Sequence, residues 1–319
     1  MNRFLPDPLI PALLATLVLA TLFPASGDVK EYVEILAKAA VMLLFFLHGV
    51  KLPRENLLAA VVHWRLHALI LGTTYLLLPL LGFGLSILWP SLLPENLWAG
   101  VLFLCALPST VQMSISFTSI AHGNVAASVT SAAASNLLGI LLTPLIIGLL
   151  LHAQGDGAVS LSAIWKVVVQ LLLPFIAGHL LRPLLGEWAA RRKRLITWSD
   201  RLTILLAVYR AFSEAVTRGI WSEFSVTTLL VLAVVCATLL SAAMLFSLRT
   251  ARAAGFPEPD ARSAMYCGSF KSIITGVPMA LVLFPQAQLG AMILPVMIYH
   301  QLQAMFSTTI SRRQAKNEP

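Results

Sequence analysis

The chain of 319 residues carries little charge: only 11% of its residues are charged, whereas 58% are hydrophobic. Soluble domains are about one-quarter charged, so this composition argues against a water-soluble protein. Cysteine is also scarce, since only Cys105, Cys236 and Cys267 occur, each inside an apolar run and none in a CxxC pair. The sequence therefore predicts neither a disulfide scaffold nor a zinc site.

Apolar segments of membrane-spanning length recur along the chain, and each can cross a bilayer core about 30 Å thick. Ten of them leave no room for a second, aqueous domain. The sequence predicts an all-α integral membrane protein whose first helix is retained, not cleaved as a signal peptide. The ten expected transmembrane helices lie near residues 8–23, 32–51, 67–90, 97–119, 124–151, 162–183, 197–220, 226–248, 260–285 and 289–310.

Basic residues gather at the ends of alternate spans. With both termini in the cytoplasm, the inner side holds sixteen of the 22 Lys and Arg residues, and the outer loops hold only Lys30 and Arg218. The positive-inside rule expects this asymmetry for an even number of spans. We therefore attribute the net charge of +8 to membrane insertion and anionic lipid, and expect no nucleic-acid partner. The inner residues are Arg3, Lys51, Arg54, Arg65, Arg182, Arg191, Arg192, Lys193, Arg194, Arg201, Arg249, Arg252, Arg262, Arg312, Arg313 and Lys316.

The longest expected inner loop divides the chain into two halves with five spans each. Because five is odd, structural repeats in the two halves would be inverted relative to each other. In each half the fourth span is interrupted by proline and polar residues, a pattern that points to a transporter's binding site. Along the chain, residues 1–183 hold spans 1–6, residues 184–200 the basic cytoplasmic loop, and residues 201–310 spans 7–10.

The fourth span reads CALPSTVQMSISFTSIAHGN, in which Pro108 precedes seven polar residues within eleven positions. In a bilayer such groups must be satisfied by protein, water or ligand. Packing between helices explains two or three hydroxyl groups. The larger number here favours a polar site, with Gln112, Ser114 and Ser116 as candidate ligand contacts.

On the fifth span, Ser128, Ser131 and Ser135 recur on one helical face. That face either packs on the fourth span or supplies hydroxyl ligands to a small cation. Asn136 stands beside these serines at membrane depth, where packing alone explains an amide less easily, and it is a candidate for direct ligand contact.

The ninth span reads YCGSFKSIITGVPMALVLF and places Lys271 about ten residues inside the membrane. An ionisable group at this depth indicates function, unless its side chain snorkels to the interface. Ser269, Ser272 and Thr275 lie beside it and are candidate substrate contacts.

Two further spans carry polar residues at depth. In the seventh span, Arg210 and Glu214 lie four residues apart and can pair on one helical face beside Tyr209. The three residues are candidates for coupling, and the alternative is that Arg210 and Glu214 form a purely structural ion pair. In the tenth span, His300 and Gln303 share one face, which suits a cavity wall better than lipid contact.

Two other chemistries find little support in the sequence. His63 and His67 have a metal-ligand spacing, but no carboxylate of an HExxH motif accompanies them. Lys271 could activate Ser269 or Ser272 in a hydrolase, but neither a GxSxG nor an SxxK motif is present. We expect no enzyme and no cofactor, and Na⁺ is the one ion to be considered.

The stretches FFLHGVKLPREN, LPSTVQMSISFTSIAHGNVAASV and GSFKSIITGVPMA resemble the bile acid:sodium symporter family, and within it the branch named after sodium/bile acid cotransporter 7. The resemblance implies ten helices in two inverted five-helix repeats, with broken helices 4 and 9 crossing. It implies a core domain of spans 3–5 and 8–10 and a panel domain of spans 1, 2, 6 and 7. It also implies sodium-driven transport of organic anions by alternating access, here in a bacterial inner membrane.

The sodium ligands that the family resemblance implies are only partly matched. Ser114 and Ser128 are retained, but the ninth-span pattern Glu-x-Gly-x-Gln-Asn meets Tyr266 and Lys271, so its carboxylate is lost. A glutamine that family members place five residues before the third-span proline is Thr74 here. Three modes of coupling therefore stay open: to sodium, to protons with Lys271 in place of the sodium ion, or to no ion.

Together these features predict a secondary transporter for a small or amphipathic organic anion, with a non-transporting membrane regulator and a channel as alternatives. The predicted substrate-binding residues are Gln112, Ser114, Ser116, Asn136, Ser269, Lys271, Ser272, Thr275 and His300. The predicted ion-binding residues are Ser114, Ser128, Ser131, Ser135 and Lys271, and the coupling candidates are Tyr209, Arg210 and Glu214.

Overall fold

The computed structural model describes residues 9–25, 27–51, 63–153, 165–166, 168–217 and 224–316, and these residues form helices and no strands. In chain order the helices are α1 (Leu9–Leu22), α2 (Asp28–Lys51), α3 (Trp64–Leu88), α4 (Glu95–Ala106), α5 (Val111–Ile120), α6 (Val125–Ala153), α7 (Val168–Leu180), α8 (Arg182–Arg191), α9 (Lys193–Thr217), α10 (Val226–Ala253), α11 (Glu258–Ser269), α12 (Ile273–Leu283) and α13 (Leu289–Lys316).

Within the described ranges, six helical segments are long and apolar enough to cross a membrane, and there are eight if the bent pairs α4–α5 and α7–α8 each count as one span. The expected all-helical, multi-pass membrane protein is thereby confirmed. The first expected span falls on α1, which has 14 residues. The seventh falls on the 25-residue α9, whose four charged residues after position 199 lower its hydropathy. The count of ten spans stays a prediction.

The chain folds into two compact units, each built from three separate stretches of sequence. Unit 1 comprises Met1–Lys51, Ser162–Ser225 and Val277–Ile293, and unit 2 comprises Leu52–Leu161, Val226–Gly276 and Leu294–Pro319. In unit 1, α1 packs on α9, and α2 packs on α7, α8 and α9. In unit 2, α11 packs on α3, α5, α6 and α10, and α6 packs on α4 and α5.

Helices α2 and α7 of unit 1 approach until their backbones touch. Gly49 packs on the carbonyl of Phe175, and Gly178 packs on the carbonyl of Phe46. A Cβ atom at either glycine would collide with the facing backbone. Between membrane helices, such close approach of small residues replaces the hydrophobic effect as a source of packing energy.

The stretch 184–200, expected as a loop, is helical apart from a turn at Arg192. Helix α8 leaves α7 at an angle of 92°, and α9 begins directly after the turn. The many charges in this stretch suggested a loop, but Leu185 and Ala189 supply an apolar stripe that packs on the rest of unit 1. This tertiary contact explains the helix.

In unit 2 the expected fourth and ninth spans are both interrupted. Helices α4 and α5 meet at 63°, and α11 and α12 are separated by the non-helical segment 270–272. Small side chains dominate the packing between α3, α6, α10 and α11, which lets these helices approach closely. This cluster consists of Leu66, Ile70, Ala127, Ala251, Ala261, Ala264 and Cys267.

Several basic residues gather at one end of unit 2. The buried guanidinium of Arg262, on α11, donates to the carbonyl of Ala121 at the end of α5 (2.6 Å). The guanidinium of Arg65, at the start of α3, lies 5.6 Å from the ring centre of Phe256, just before α11. The starts of α3 and α11 and the end of α5 therefore lie on the same side of unit 2.

Replacing Gly178 by alanine tests the contact between α2 and α7. The new Cβ atom would meet backbone, and overpacking of this kind costs about 1–3 kcal/mol, so we expect Gly178→Ala to lower the unfolding temperature in detergent. Gly84→Ala is the matched control, because a Cβ atom there meets nothing within 4 Å. An unchanged unfolding temperature for Gly178→Ala would contradict the close approach of the two helices.

Candidate functional site at two helix breaks

The first break separates α4 from α5 at Leu107–Thr110. Pro108 has no N–H group and disfavours helical geometry in the residue before it, and Leu107 is accordingly extended (φ −69°, ψ 153°). The second break, between α11 and α12, begins at Phe270, which is also extended (φ −77°, ψ 148°). Each break exposes the carbonyl groups at the end of one helix and the N–H groups at the start of the next.

The two breaks bind each other. The N–H of Ser272 donates to the carbonyl of Pro108 (2.9 Å), and the hydroxyl of Thr110 donates to the carbonyl of Lys271 (2.7 Å). Each break thus satisfies a carbonyl of the other, which joins the middle of the fourth span to the middle of the ninth.

Lys271 lies at the centre of this junction and is only 1% exposed. Its Nζ donates to the carbonyls of Thr74 (2.8 Å), Cys105 (2.7 Å) and Leu107 (2.7 Å). Three acceptors match the three hydrogens of the charged ammonium, because a neutral amine has only two. Two of these carbonyls belong to the C-terminal end of α4, where the helix dipole favours a positive charge. The ring of Tyr75 also faces the ammonium, with 5.9 Å between Nζ and the ring centre.

The carbonyl of Thr74 is available because of a local irregularity in α3. Residues Thr73–Leu77 form a π-helical turn, in which the N–H of Leu78 donates to the carbonyl of Thr73. The next N–H that could bind Thr74 would come from position 79, but Pro79 has none. The ammonium of Lys271 donates to the carbonyl of Thr74 instead of a backbone N–H.

Side chains of the neighbouring helix α6 satisfy further carbonyl groups at the first break. The hydroxyl of Thr143 donates to the carbonyl of Ala106 (2.8 Å), and the amide of Asn136 donates to that of Ser109 (2.7 Å). Asn136 also accepts a hydrogen bond from the hydroxyl of Thr275 (2.7 Å), so it links both breaks.

Side chains on α13 support the second break. Gln303 accepts from the N–H of Lys271 (3.0 Å) and donates to the carbonyl of the same residue (3.1 Å). Gln303 also donates to Nδ1 of the buried His300 (3.1 Å), which places His300 one side chain away from the break. The hydroxyl of Tyr299 donates to the carbonyl of Ser269 (2.7 Å).

The three serines of α6 share one face, as their spacing predicts. That face is buried, and each hydroxyl has a partner. Ser128 bonds the hydroxyl of Thr118 (2.8 Å), and Ser131 bonds Nδ1 of His67 (2.6 Å). Ser135 accepts from the backbone N–H of Ser109 (3.0 Å). These contacts join α6 to α5, to α3 and to the first break.

The predicted substrate residues on α5 divide between two faces. Ser114 is buried, with its hydroxyl 3.3 Å from that of Ser109, whereas Gln112 and Ser116 are exposed. On the other break, the buried hydroxyl of Ser272 donates to that of Thr275 (3.1 Å). Within α11, the hydroxyl of Ser269 donates a hydrogen bond to the carbonyl of Met265 (2.6 Å).

The coupling candidates belong to unit 1. Tyr209 donates its hydroxyl hydrogen to the carbonyl of Phe23 (2.8 Å), and Arg210 pairs with Glu34 on α2 (3.2 Å). The side chain of Glu214 lies outside the described residues, so its predicted pair with Arg210 stays a prediction.

Sequence reasoning missed several residues that complete the junction. Thr110 and Thr143 bind carbonyl groups at the breaks but were not among the predicted site residues. Gln303 was expected only on a cavity wall, yet it binds the backbone of the second break. Thr74 was marked only by its distance from Pro79; its carbonyl binds Lys271, and its hydroxyl donates to the carbonyl of Gly268 (3.2 Å). A hydroxyl two residues after the proline of an expected break is the sequence signal that could have pointed to Thr110.

A model of the SBF-like CPA transporter family matches residues 7–316. PA2026 of Pseudomonas aeruginosa, an uncharacterised protein, is 48% identical over 315 residues, which cover 98% of this chain and 94% of the relative. YfeH of Escherichia coli, which carries a provisional symporter name, is 46% identical over 307 residues (96% and 92%). Sodium/bile acid cotransporter 7 of Danio rerio is 27% identical over 275 residues (85% and 81%). Since the match runs over nearly its whole length, the chain belongs to the SBF-like CPA transporter family, the bile acid:sodium symporter type that its motifs resemble.

Proposed function

We propose that the chain is a secondary active transporter that moves a small or amphipathic organic anion across the bacterial inner membrane by alternating access. Family membership supports transport, and the names of YfeH and of sodium/bile acid cotransporter 7 make symport and bile acids the first activities to test. In this proposal ten helices form two inverted repeats, with spans 3–5 and 8–10 as the core and spans 1, 2, 6 and 7 as the panel. The cation of Lys271, held between two broken helices, carries the proposal.

The anion would bind where α5 begins. Gln112 and Ser116 are exposed there although they lie within an apolar span, and polar groups at membrane depth suit a water-filled cavity better than lipid. The N-cap residue Thr110 makes no side-chain capping bond, and the start of a helix attracts negative charge. Lys271 neutralises the partial negative charge at the carbonyl end of α4. The partial positive charge at the start of α5 is then available to attract an anion.

Lys271 would replace a bound cation in this transporter. Its three hydrogen bonds run to carbonyl oxygens, which are also the ligands that hard cations prefer. Because all three hydrogens are used, the ammonium would act on the substrate through its field, not by direct contact. Transport would then depend weakly on sodium, and the coupling ion would be a proton or none.

Uptake into proteoliposomes tests the proposed function. With a panel of labelled organic anions that includes a bile acid, we expect saturable uptake of at least one anion. Sodium and pH gradients are imposed separately, and replacing sodium by potassium should change the rate little. No uptake of any anion would favour a non-transporting regulator, and uptake that does not saturate would favour a channel.

Lys271→Gln tests the role of the cation. The substitution removes three charge-assisted hydrogen bonds. Raising the barrier of the transport step by about 1.4 kcal/mol already slows transport about ten-fold, so we expect at least a ten-fold lower transport rate. Lys166→Gln is the control, because Lys166 also lies in an expected span but is exposed. The proposal is contradicted if Lys271→Gln transports normally and the wild type depends steeply on sodium. Ser114 and Ser128 would then be the candidate sodium ligands.

Epitope tags test the proposed orientation. A tag in the turn at Arg192 and a tag at the C-terminus should both be detected only from the cytoplasm, because the basic residues of the chain gather there. The co-location of Arg65 and Arg262 at one end of unit 2 supports this orientation. A tag after Pro90 is the control and should be external. Detection of either of the first two tags from outside would contradict the ten-span topology.

A further inference from the structure

A short helix leaves the direction of a membrane span at the end of α7. Helix α8 turns through 92° relative to α7, with only Leu181 between them. α7 is apolar and suits the membrane interior, and a helix at 92° to such a span is oriented along the membrane plane. The sequence of α8, RPLLGEWAAR, mixes charged and large apolar residues, as is typical of helices at the membrane interface.

One face of α8 is fixed to the protein. Ala189 forms a buried cluster with Leu47, Val50 and Ile196, and the partly buried Leu185 packs against it. This cluster holds α8 against α2 and the start of α9, so its orientation is set by packing within unit 1.

The neighbouring stripe of α8 is apolar but not covered by unit 1. Leu184 is 78% exposed and Trp188, one turn further, is 42% exposed. Leu180, before the bend, and Leu195, on α9, are exposed as well. Large apolar side chains on a surface helix are expected where acyl chains cover them.

Four consecutive cations follow this stripe at the turn from α8 to α9. Arg191, Arg192, Lys193 and Arg194 are all exposed. Arg191 pairs with Glu187 at 3.5 Å, but the two side chains are 77% and 89% exposed, and such pairs contribute little. Neighbouring like charges repel each other, so this turn favours a counter-charge from outside the chain.

We propose that α8 and the turn that follows it bind anionic phospholipid. The acyl chains would lie along Leu184 and Trp188, and the headgroup phosphates would pair with Arg192, Lys193 and Arg194. Guanidinium groups match phosphate geometry, and clustered Lys and Arg beside a membrane segment attract anionic headgroups. This surface belongs to unit 1 and does not depend on the proposed transport function.

Thermal unfolding of the purified protein in neutral detergent tests this surface. Added phosphatidylglycerol should raise the unfolding temperature of the wild type, and phosphatidylcholine should not. Arg192→Gln/Arg194→Gln removes two of the four charges and should lose at least about half of that rise. Arg192→Lys/Arg194→Lys should keep most of it, and Leu184→Asn should reduce it because the acyl contact is weakened.

Arg312→Gln/Arg313→Gln is the matched control. It removes two arginines from the end of α13 and should keep the full rise. The proposal is overturned if Arg192→Gln/Arg194→Gln responds to phosphatidylglycerol like the wild type. It is also overturned if inorganic phosphate at equal ionic strength gives the same rise, because the ligand would then be a free anion and not a lipid.

Discussion

The ammonium of Lys271 and the three carbonyls around it are the interaction on which unit 2 depends. An unpaired charge in a low-dielectric interior costs several kcal/mol even after relaxation. Here three carbonyls at 2.7–2.8 Å offset that cost, and in return the ammonium satisfies backbone groups of two helices that a break or a π turn leaves unpaired. The cation needs the irregular helices, and the irregular helices need the cation.

The hydrogen-bond partners of this cation are all backbone carbonyls. The side chains of Cys105 and Leu107 can therefore change without removing an acceptor. Pro79 and Pro108 are harder to replace, because Pro79 leaves the Thr74 carbonyl without an N–H partner and Pro108 keeps the backbone of Leu107 extended. Asn136 and Gln303 complete the junction, because each binds a backbone carbonyl at one break and a further polar side chain. In this centre Lys271 neutralises the carbonyl end of α4, and the proposed anion would bind at the start of α5.

Much of this centre could be predicted from the sequence, because its signals are local. Proline and a run of hydroxyl residues predicted that the fourth span is broken. The charge of Lys271 at membrane depth predicted that this residue is functional, and helical spacing predicted that the serines of α6 share one face. The acceptors of Lys271 could not be predicted, since every residue has a carbonyl and only the fold leaves particular ones unpaired. Arg210 shows the same limit: the sequence suggested a local pair with Glu214, whereas Glu34, with which Arg210 pairs, comes from a distant helix. The surface helix α8 was expected to be a loop, because its ten residues are too short and too charged for a clear pattern.

The most direct test of this centre is the unfolding temperature of Lys271→Ala in the presence of small cations. If the ammonium acts as a tethered cation, removing it leaves carbonyls that a free cation can bind, and ligand binding to the folded state raises its stability. Sodium or methylammonium should therefore raise the unfolding temperature of Lys271→Ala at a concentration that leaves the wild type unchanged. If neither cation stabilises the variant, or if sodium stabilises the wild type equally, Lys271 does not occupy the place of a bound cation.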